Sequence, residues 1–331
     1  MRSFSLAGIF GSLLLSAPLL AGDMRIPESL EKGTVRFVPR DDQKNIPPRY
    51  RLDKHAFDFE LSQRLDLPSN DIDVHHLQFP SPLETDTPEN NTVHGEYYRP
   101  HGDGPFPGVI VLDIMGGDGS VSRMVATSLA QKHIAALALR MPYYGERRPA
   151  GSRVRMISTD FDHSMEAVRQ TVLDVRRASA WLESRKEIDA KRLGIVGTSL
   201  GSFMGSLAAE MEPRLVRVAI LLGGGGLVDT FYDNPRAEMF RKSWEAIGGS
   251  KASLAKLVAP ADPLTYAANL KDRKLLIIAG KRDEIVPPKM TEALWKASGA
   301  QKIIWYDCTH HGAVKYVVPA MGHLVKHFGA E

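Results

Sequence analysis

The chain has 331 residues, 43% of them hydrophobic, a formal net charge of +3 and a single cysteine, Cys308. That length and apolar content can bury a large core, in one big α/β domain or two smaller ones, and exclude a disordered chain or a coiled coil. The charge bias is too weak to argue for nucleic acid or an anionic membrane surface as a partner, and one cysteine excludes an intrachain disulfide.

Met1 to Gly22 holds one early charge, Arg2, then an apolar stretch from Leu6 to Leu20, then Ala21 and Gly22 ahead of Asp23. This is the pattern of a secretory signal peptide cleaved near Ala21 or Gly22, so a periplasmic or secreted protein is expected. Asp23 stands where a lipid-carrying cysteine would be needed, and no later segment could cross a bilayer, so no stable membrane anchor is expected. Residues 23–70 are polar and proline-bearing, with Pro47-Pro48 marking irregular structure. They are expected to form an N-terminal extension around the core, with one helix near His55 to Leu65.

The catalytic-size remainder, residues 71–331, contains eight candidate strands. Ile72 to Phe79 and Thr92 to Arg99 alternate in polarity and flank an acidic, proline-rich linker, as an antiparallel edge pair would. Gly108 to Ile114, Ile134 to Met141, Arg192 to Thr198, Val216 to Gly223, Lys274 to Gly280 and Lys302 to Cys308 are nearly continuous apolar runs, as expected of parallel strands covered on both faces. Segments of helical periodicity separate most of them; the clearest is His163 to Ser184, with Met165, Val168, Val172, Val175 and Leu182 at spacings of three and four once Ser179 fills the skipped turn. The predicted fold class is therefore α/β, a doubly wound, mostly parallel eight-stranded sheet with helices on both faces, whose functional residues lie at the carboxyl ends of the strands. Two connections exceed a simple turn. Pro142 to Asp162 opens P-Y-Y-G-E-R-R-P, which makes Tyr143, Tyr144 and Arg147 candidate substrate-binding residues, and residues 225–272 form a lid-like insertion with a helical stretch around Arg236 to Leu257. The Phe231 to Trp244 segment of that insertion is a further candidate to line a pocket.

Within Arg192 to Glu210 a short apolar strand must become a helix within a few residues, through Gly197-Thr198-Ser199-Leu200-Gly201. Glycines two before and two after Ser199 make room for that bend, leaving the hydroxyl exposed at its tip with the Leu200 N–H beside it. This G-x-S-x-G run resembles the nucleophile elbow of the α/β-hydrolases. A serine hydroxyl needs a base and a carboxylate to orient that base, and in that family they follow in the order serine, acid, histidine. The seventh strand ends in Gly280-Lys281-Arg282-Asp283-Glu284-Ile285-Val286-Pro287 and the eighth in Tyr306-Asp307-Cys308-Thr309-His310-His311-Gly312, so an acid and a histidine appear in order at successive strand ends. Asp283 is the chosen acid, with Glu284 the alternative. The family's final loop commonly reads Gly-His-Gly, which favours His311 over His310 as the base. Leu200 is the expected first oxyanion donor, and the resemblance puts the second at Ile114 or Met115, although Asp113 stands where many relatives carry histidine.

Adjacent histidines at His75-His76 and His310-His311 cannot easily face one ion and no third ligand is suggested, so no metal and no cofactor are expected. Met115 to Gly119 lacks the lysine of a phosphate loop. Cys308 reads as a small buried residue. Over about Ile72 to Phe328 the chain resembles the α/β-hydrolase superfamily, in particular its dienelactone-hydrolase and acetyl-xylan-esterase-like branch. The resemblance implies a serine esterase acting on a small-molecule ester through Ser199, His311 and Asp283. A prolyl-oligopeptidase-like peptidase or amidase, and a silent binding protein on the same scaffold, are the alternatives. The residues name neither the substrate nor an oligomeric state.

Overall fold

A computed structural model describes residues 29–64, 71–232 and 237–330; the expected signal peptide lies outside them. The chain forms one ten-stranded sheet in the order β1-β2-β3-β4-β6-β5-β7-β8-β9-β10. Eight strands match those expected: β3 (Ile72–Pro80), β4 (Thr92–Pro100), β5 (Phe106–Leu112), β6 (Ala135–Leu139), β7 (Ile188–Thr198), β8 (Arg217–Leu221), β9 (Lys274–Gly280) and β10 (Lys302–Tyr306). From β6 onward across the sheet every neighbouring pair is parallel, and β3 and β4 join antiparallel at one side.

The other two strands come from the N-terminal extension and correct its reading as a wrap with a helix. They are β1 (Ser29–Phe37) and β2 (His55–Gln63), an antiparallel pair that continues the sheet beyond β3. Residues 55 to 63 read H-A-F-D-F-E-L-S-Q, in which Phe57, Phe59 and Leu61 turn inward while Asp58, Glu60 and Ser62 turn away. That period of two is a strand signal, and a helix would scatter the three apolar residues around its circumference. Their inner face packs on α2 (Phe161–Ser184), where Phe59 and Tyr97 both meet the Trp181 ring edge-on, at 6.0 and 5.0 Å.

Alternation along the central strands divides the core into two layers. Val109, Val111, Val196 and Ile278 face α1 (Ser120–Ala130) and α8 (Val317–Gly329), whereas Ile110, Leu112, Ile195 and Ile277 face α2, α3 (Leu200–Met211) and α7 (Pro288–Ala297). The insertion after β8 carries α4 (Leu227–Phe231), α5 (Glu238–Ala246) and α6 (Lys251–Val258). The single helical stretch expected there is two helices, broken at Gly248-Gly249. The Asp262 carboxylate clamps the insertion's two ends by accepting from the N–H groups of Gly226 at 2.9 Å, Leu227 at 2.7 Å and Leu264 at 2.9 Å.

One buried carboxylate makes the sheet sensitive to acid. Glu96 on β4 accepts hydrogen bonds from Arg123 at 2.6 Å and the Tyr98 hydroxyl at 2.9 Å, with Arg64 and Arg140 also in reach. Burial alone would raise its pKa, but the bonds from Arg123 and Tyr98 and the Arg140 charge outweigh it and hold the carboxyl at about 2, against an ordinary 4.5. A depressed carboxyl stabilises the fold fully above its unfolded pKa and loses that contribution as pH falls toward the folded one. Circular dichroism across an acid titration should therefore show stability falling between about pH 4.5 and 2, and Glu96→Gln should flatten that fall.

Candidate active site

The turn between β7 and α3 is strained. Ser199 sits at φ 52° and ψ −119°, a left-handed backbone that costs a non-glycine residue on the order of 1–3 kcal/mol. The strain persists because both flanks admit only glycine. A Cβ on Gly197 would lie 1.9 Å from the Gly201 carbonyl oxygen, and one on Gly201 would lie 2.4 Å from that of Asp113. The Ser199 N–H is anchored to the Leu221 carbonyl at 2.9 Å, which fixes the hydroxyl over the carboxyl edge of β7 and β8.

Two later strand ends converge on that hydroxyl. Ser199 Oγ lies 3.0 Å from His310 Nε2, and His310 Nδ1 lies 2.7 Å from Asp283 Oδ2. The carboxylate can only accept, so it selects the tautomer with the proton on Nδ1 and leaves Nε2 to accept from the serine. Asp283 is itself held by the N–H groups of Ile285 at 2.9 Å and Val286 at 2.7 Å, both to Oδ1, and is buried. Glu284 points outward, where its carboxylate accepts from the His310 N–H at 3.3 Å.

This geometry corrects the choice of histidine. His311 is exposed, its ring edge-on to His310 at a centroid distance of 5.7 Å, and it makes no bond to Ser199 or Asp283. The tight helical turn over His311–Tyr316 begins directly after His310. In helical backbone, successive side chains diverge by about 100°, so only one of two adjacent histidines can face the serine. A match to a Gly-His-Gly pattern does not carry that directional information.

The turn after β5 also departs from expectation. The Ile114 N–H donates to the Asp113 carboxylate at 2.9 Å, so it is already engaged; Met115 is the remaining candidate there, beside the Leu200 N–H at the start of α3. The other carboxylate oxygen of Asp113 is buried and makes no hydrogen bond among the described residues.

None of the three residues proposed after β6 lines the cavity at Ser199. Arg147 is fully buried, paired with Asp174 at 2.7 Å and donating to the carbonyls of Asn90 at 2.8 Å and Arg140 at 3.0 Å. Tyr143 is buried against the His163 ring. Tyr144 accepts from the Gly116 N–H at 2.9 Å and so braces the turn after β5. The insertion contributes no lining residue either among those described: Tyr232 packs with Val228 and Leu254 in a small separate cluster that Trp244 covers. The lining comes from the expected carboxyl ends of β7 to β10, the turn after β5 with Ile114 and Met115, and the turn at His311–Tyr316, and also from α1 and α8, which strand patterns alone gave no reason to single out. Cys308 is buried there, and burial pushes its thiol pKa up, as suits a packing residue rather than a nucleophile. Among the described residues no cluster of three His, Cys, Asp or Glu side chains could hold a metal.

Comparison with known proteins agrees with the fold. Residues 158–316, which contain Ser199, Asp283 and His310, match the prolyl oligopeptidase family model, and residues 77–229 match that of alpha/beta hydrolase domain containing 18. An uncharacterized protein of Mycobacterium tuberculosis is 28% identical over 151 residues, 43% of this chain and 33% of that protein. The bile acid-CoA:amino acid N-acyltransferase of Mus musculus is 26% identical over 140 residues, 42% of this chain and 29% of that protein. The matches thus span about a third of the length of these curated relatives. An acetyl xylan esterase from Paenibacillus sp. R4 shares the fold at a TM-score of 0.65 and 19% identity, covering 81% of this chain and 88% of that one. The strand order and the elbow at Ser199, with two family models that each match just under half of the chain, give the chain the α/β-hydrolase fold.

Proposed function

We propose that the protein is a serine hydrolase that cleaves carboxylic esters. The observation that carries this reading is the unbroken hydrogen-bond series from Ser199 through His310 to Asp283. In the proposed reaction His310 Nε2 takes the Ser199 proton as the oxygen attacks the ester carbonyl, and Asp283 stabilises the resulting imidazolium. The N–H groups of Leu200 and Met115 receive the developing oxyanion. Collapse of the tetrahedral intermediate returns the proton to the departing alkoxide and leaves an acyl-enzyme on Ser199. Water, deprotonated by the same imidazole, then releases the acid.

An activated serine reacts with electrophilic phosphorus, so a fluorophosphonate probe is expected to label the folded protein at Ser199, located by peptide mass spectrometry, and not to label Ser199→Ala. Absence of labelling on folded wild-type protein would sink the reading. The match to the prolyl oligopeptidase model favours a second reading, amide or peptide cleavage by the same residues. Parallel turnover of p-nitrophenyl acyl esters and aminoacyl anilides separates the two, and faster anilide cleavage would reverse their order. The candidate signal peptide at residues 1–22 supports an exported enzyme, which fractionation of expressing cells would check.

A further inference from the structure

Beneath Ser199, between the N-terminal turns of α1 and α8 and the carboxyl ends of β7, β8 and β9, lies a cavity of about 610 Å³. Its walls include Val125, Leu221, Ile278 and Ala320, all buried, with Met124 and Met321 between them. At the mouth stand Ser199 and His310, with Met115 60% exposed and Val314 71% exposed around them. Among the described residues no Lys, Arg, Asp or Glu lines the cavity.

Taking the esterase reading as given, we infer that this cavity is the acyl-binding pocket and that the natural substrate is an ester of a neutral alkyl acyl chain longer than four carbons. A charged group entering it would lose its hydration without gaining a paired charge, whereas an alkyl chain gains from leaving water. Volume sets the scale. A methylene takes roughly the 30 Å³ of a water molecule, so a chain of about eight carbons fills about two fifths of the cavity and leaves room for the reacting ester. The acyl group, rather than the alcohol, belongs here because it stays bonded to Ser199 through both chemical steps. The alcohol must depart before water can reach the acyl-enzyme, so a seat occupied through the whole cycle suits the acyl chain.

The test is a chain-length series of p-nitrophenyl esters from acetyl to decanoyl, with active sites counted by fluorophosphonate titration. Burying one methylene is expected to raise kcat/KM about fourfold, up to about eight carbons. A profile that is flat or falls beyond butyryl would overturn the inference and leave the esterase reading standing. A matched series of alkyl acetates should show no such rise; a rise there instead would assign the cavity to the alcohol and also overturn it. Ala320→Phe and the half-buried Val317→Trp should each lower the octanoyl-to-acetyl ratio of kcat/KM at least tenfold, and an unchanged ratio in both would count against the pocket. Binding is read separately on the Ser199→Ala protein, where sodium decanoate should displace 1-anilinonaphthalene-8-sulfonate. No displacement overturns the inference whatever the wild type hydrolyses, whereas displacement without ester turnover or labelling would locate the failure in the esterase reading.

Discussion

Replacing His310 by alanine is expected to lower kcat/KM for ester hydrolysis on the order of 10⁴-fold or more, as loss of the base in a serine-histidine-acid unit does, while His311→Ala changes it less than about tenfold. The contrast is sharp because the two residues are sequence neighbours with similar effects on composition and charge. Only His310 bridges Ser199 and Asp283, at 3.0 and 2.7 Å. Initial rates on a p-nitrophenyl ester, with circular dichroism to verify folding, check the pair. Near-wild-type activity in His310→Ala, or collapse in His311→Ala, would contradict the assigned base. Ser199→Ala combined with His310→Ala should be little worse than either alone, since the two act as a unit.

Arg147→Ala is expected to cost about 3–5 kcal/mol of stability, which corresponds to a fall in Tm of about 4–7 °C for a protein of this size. The guanidinium and the Asp174 carboxylate are both shielded from water, and removing one strands the other as an uncompensated buried charge. Burial already pushes the Asp174 carboxyl up against the pull of Arg147, so the stranded acid would be neutral or strongly destabilising. The double variant Arg147→Met with Asp174→Leu should recover much of the loss, because an apolar pair needs no compensation. Urea unfolding of the three proteins, wild type included, measures this. KM for a small ester should stay within about twofold in Arg147→Ala; a large rise in KM at unchanged stability would restore Arg147 to the substrate site.

These two results separate what residue pattern reveals from what it hides. The parallel strands were legible because strands covered on both faces must be apolar almost throughout: β5, β8 and β9 have no polar residue between their ends, and β7 has none from Leu193 to Gly197. Strand β2, second from the edge of the sheet, was equally legible in principle through Phe57, Phe59 and Leu61, but its polar alternate positions resemble the surrounding extension. The P-Y-Y-G-E-R-R-P loop misled for a different reason. A charged residue in a loop at the catalytic edge reads as a substrate ligand until its partner is known, and Asp174, the partner of Arg147, sits 27 residues away in the middle of α2.

Chain order and local sterics were enough to mark Ser199 as a bent, exposed hydroxyl and to place an acid and a histidine pair after it, because a strand-to-helix turn this tight permits only glycine on either side and leaves a trace in the sequence. Tertiary structure decided which histidine of the pair faces the serine, which backbone N–H after β5 is already engaged, and where the apolar cavity opens. Each of these depends on directions and gaps between elements distant in the chain. The cavity is bounded by α1 and α8, nearly two hundred residues apart, and no local pattern in either helix records the space left between them.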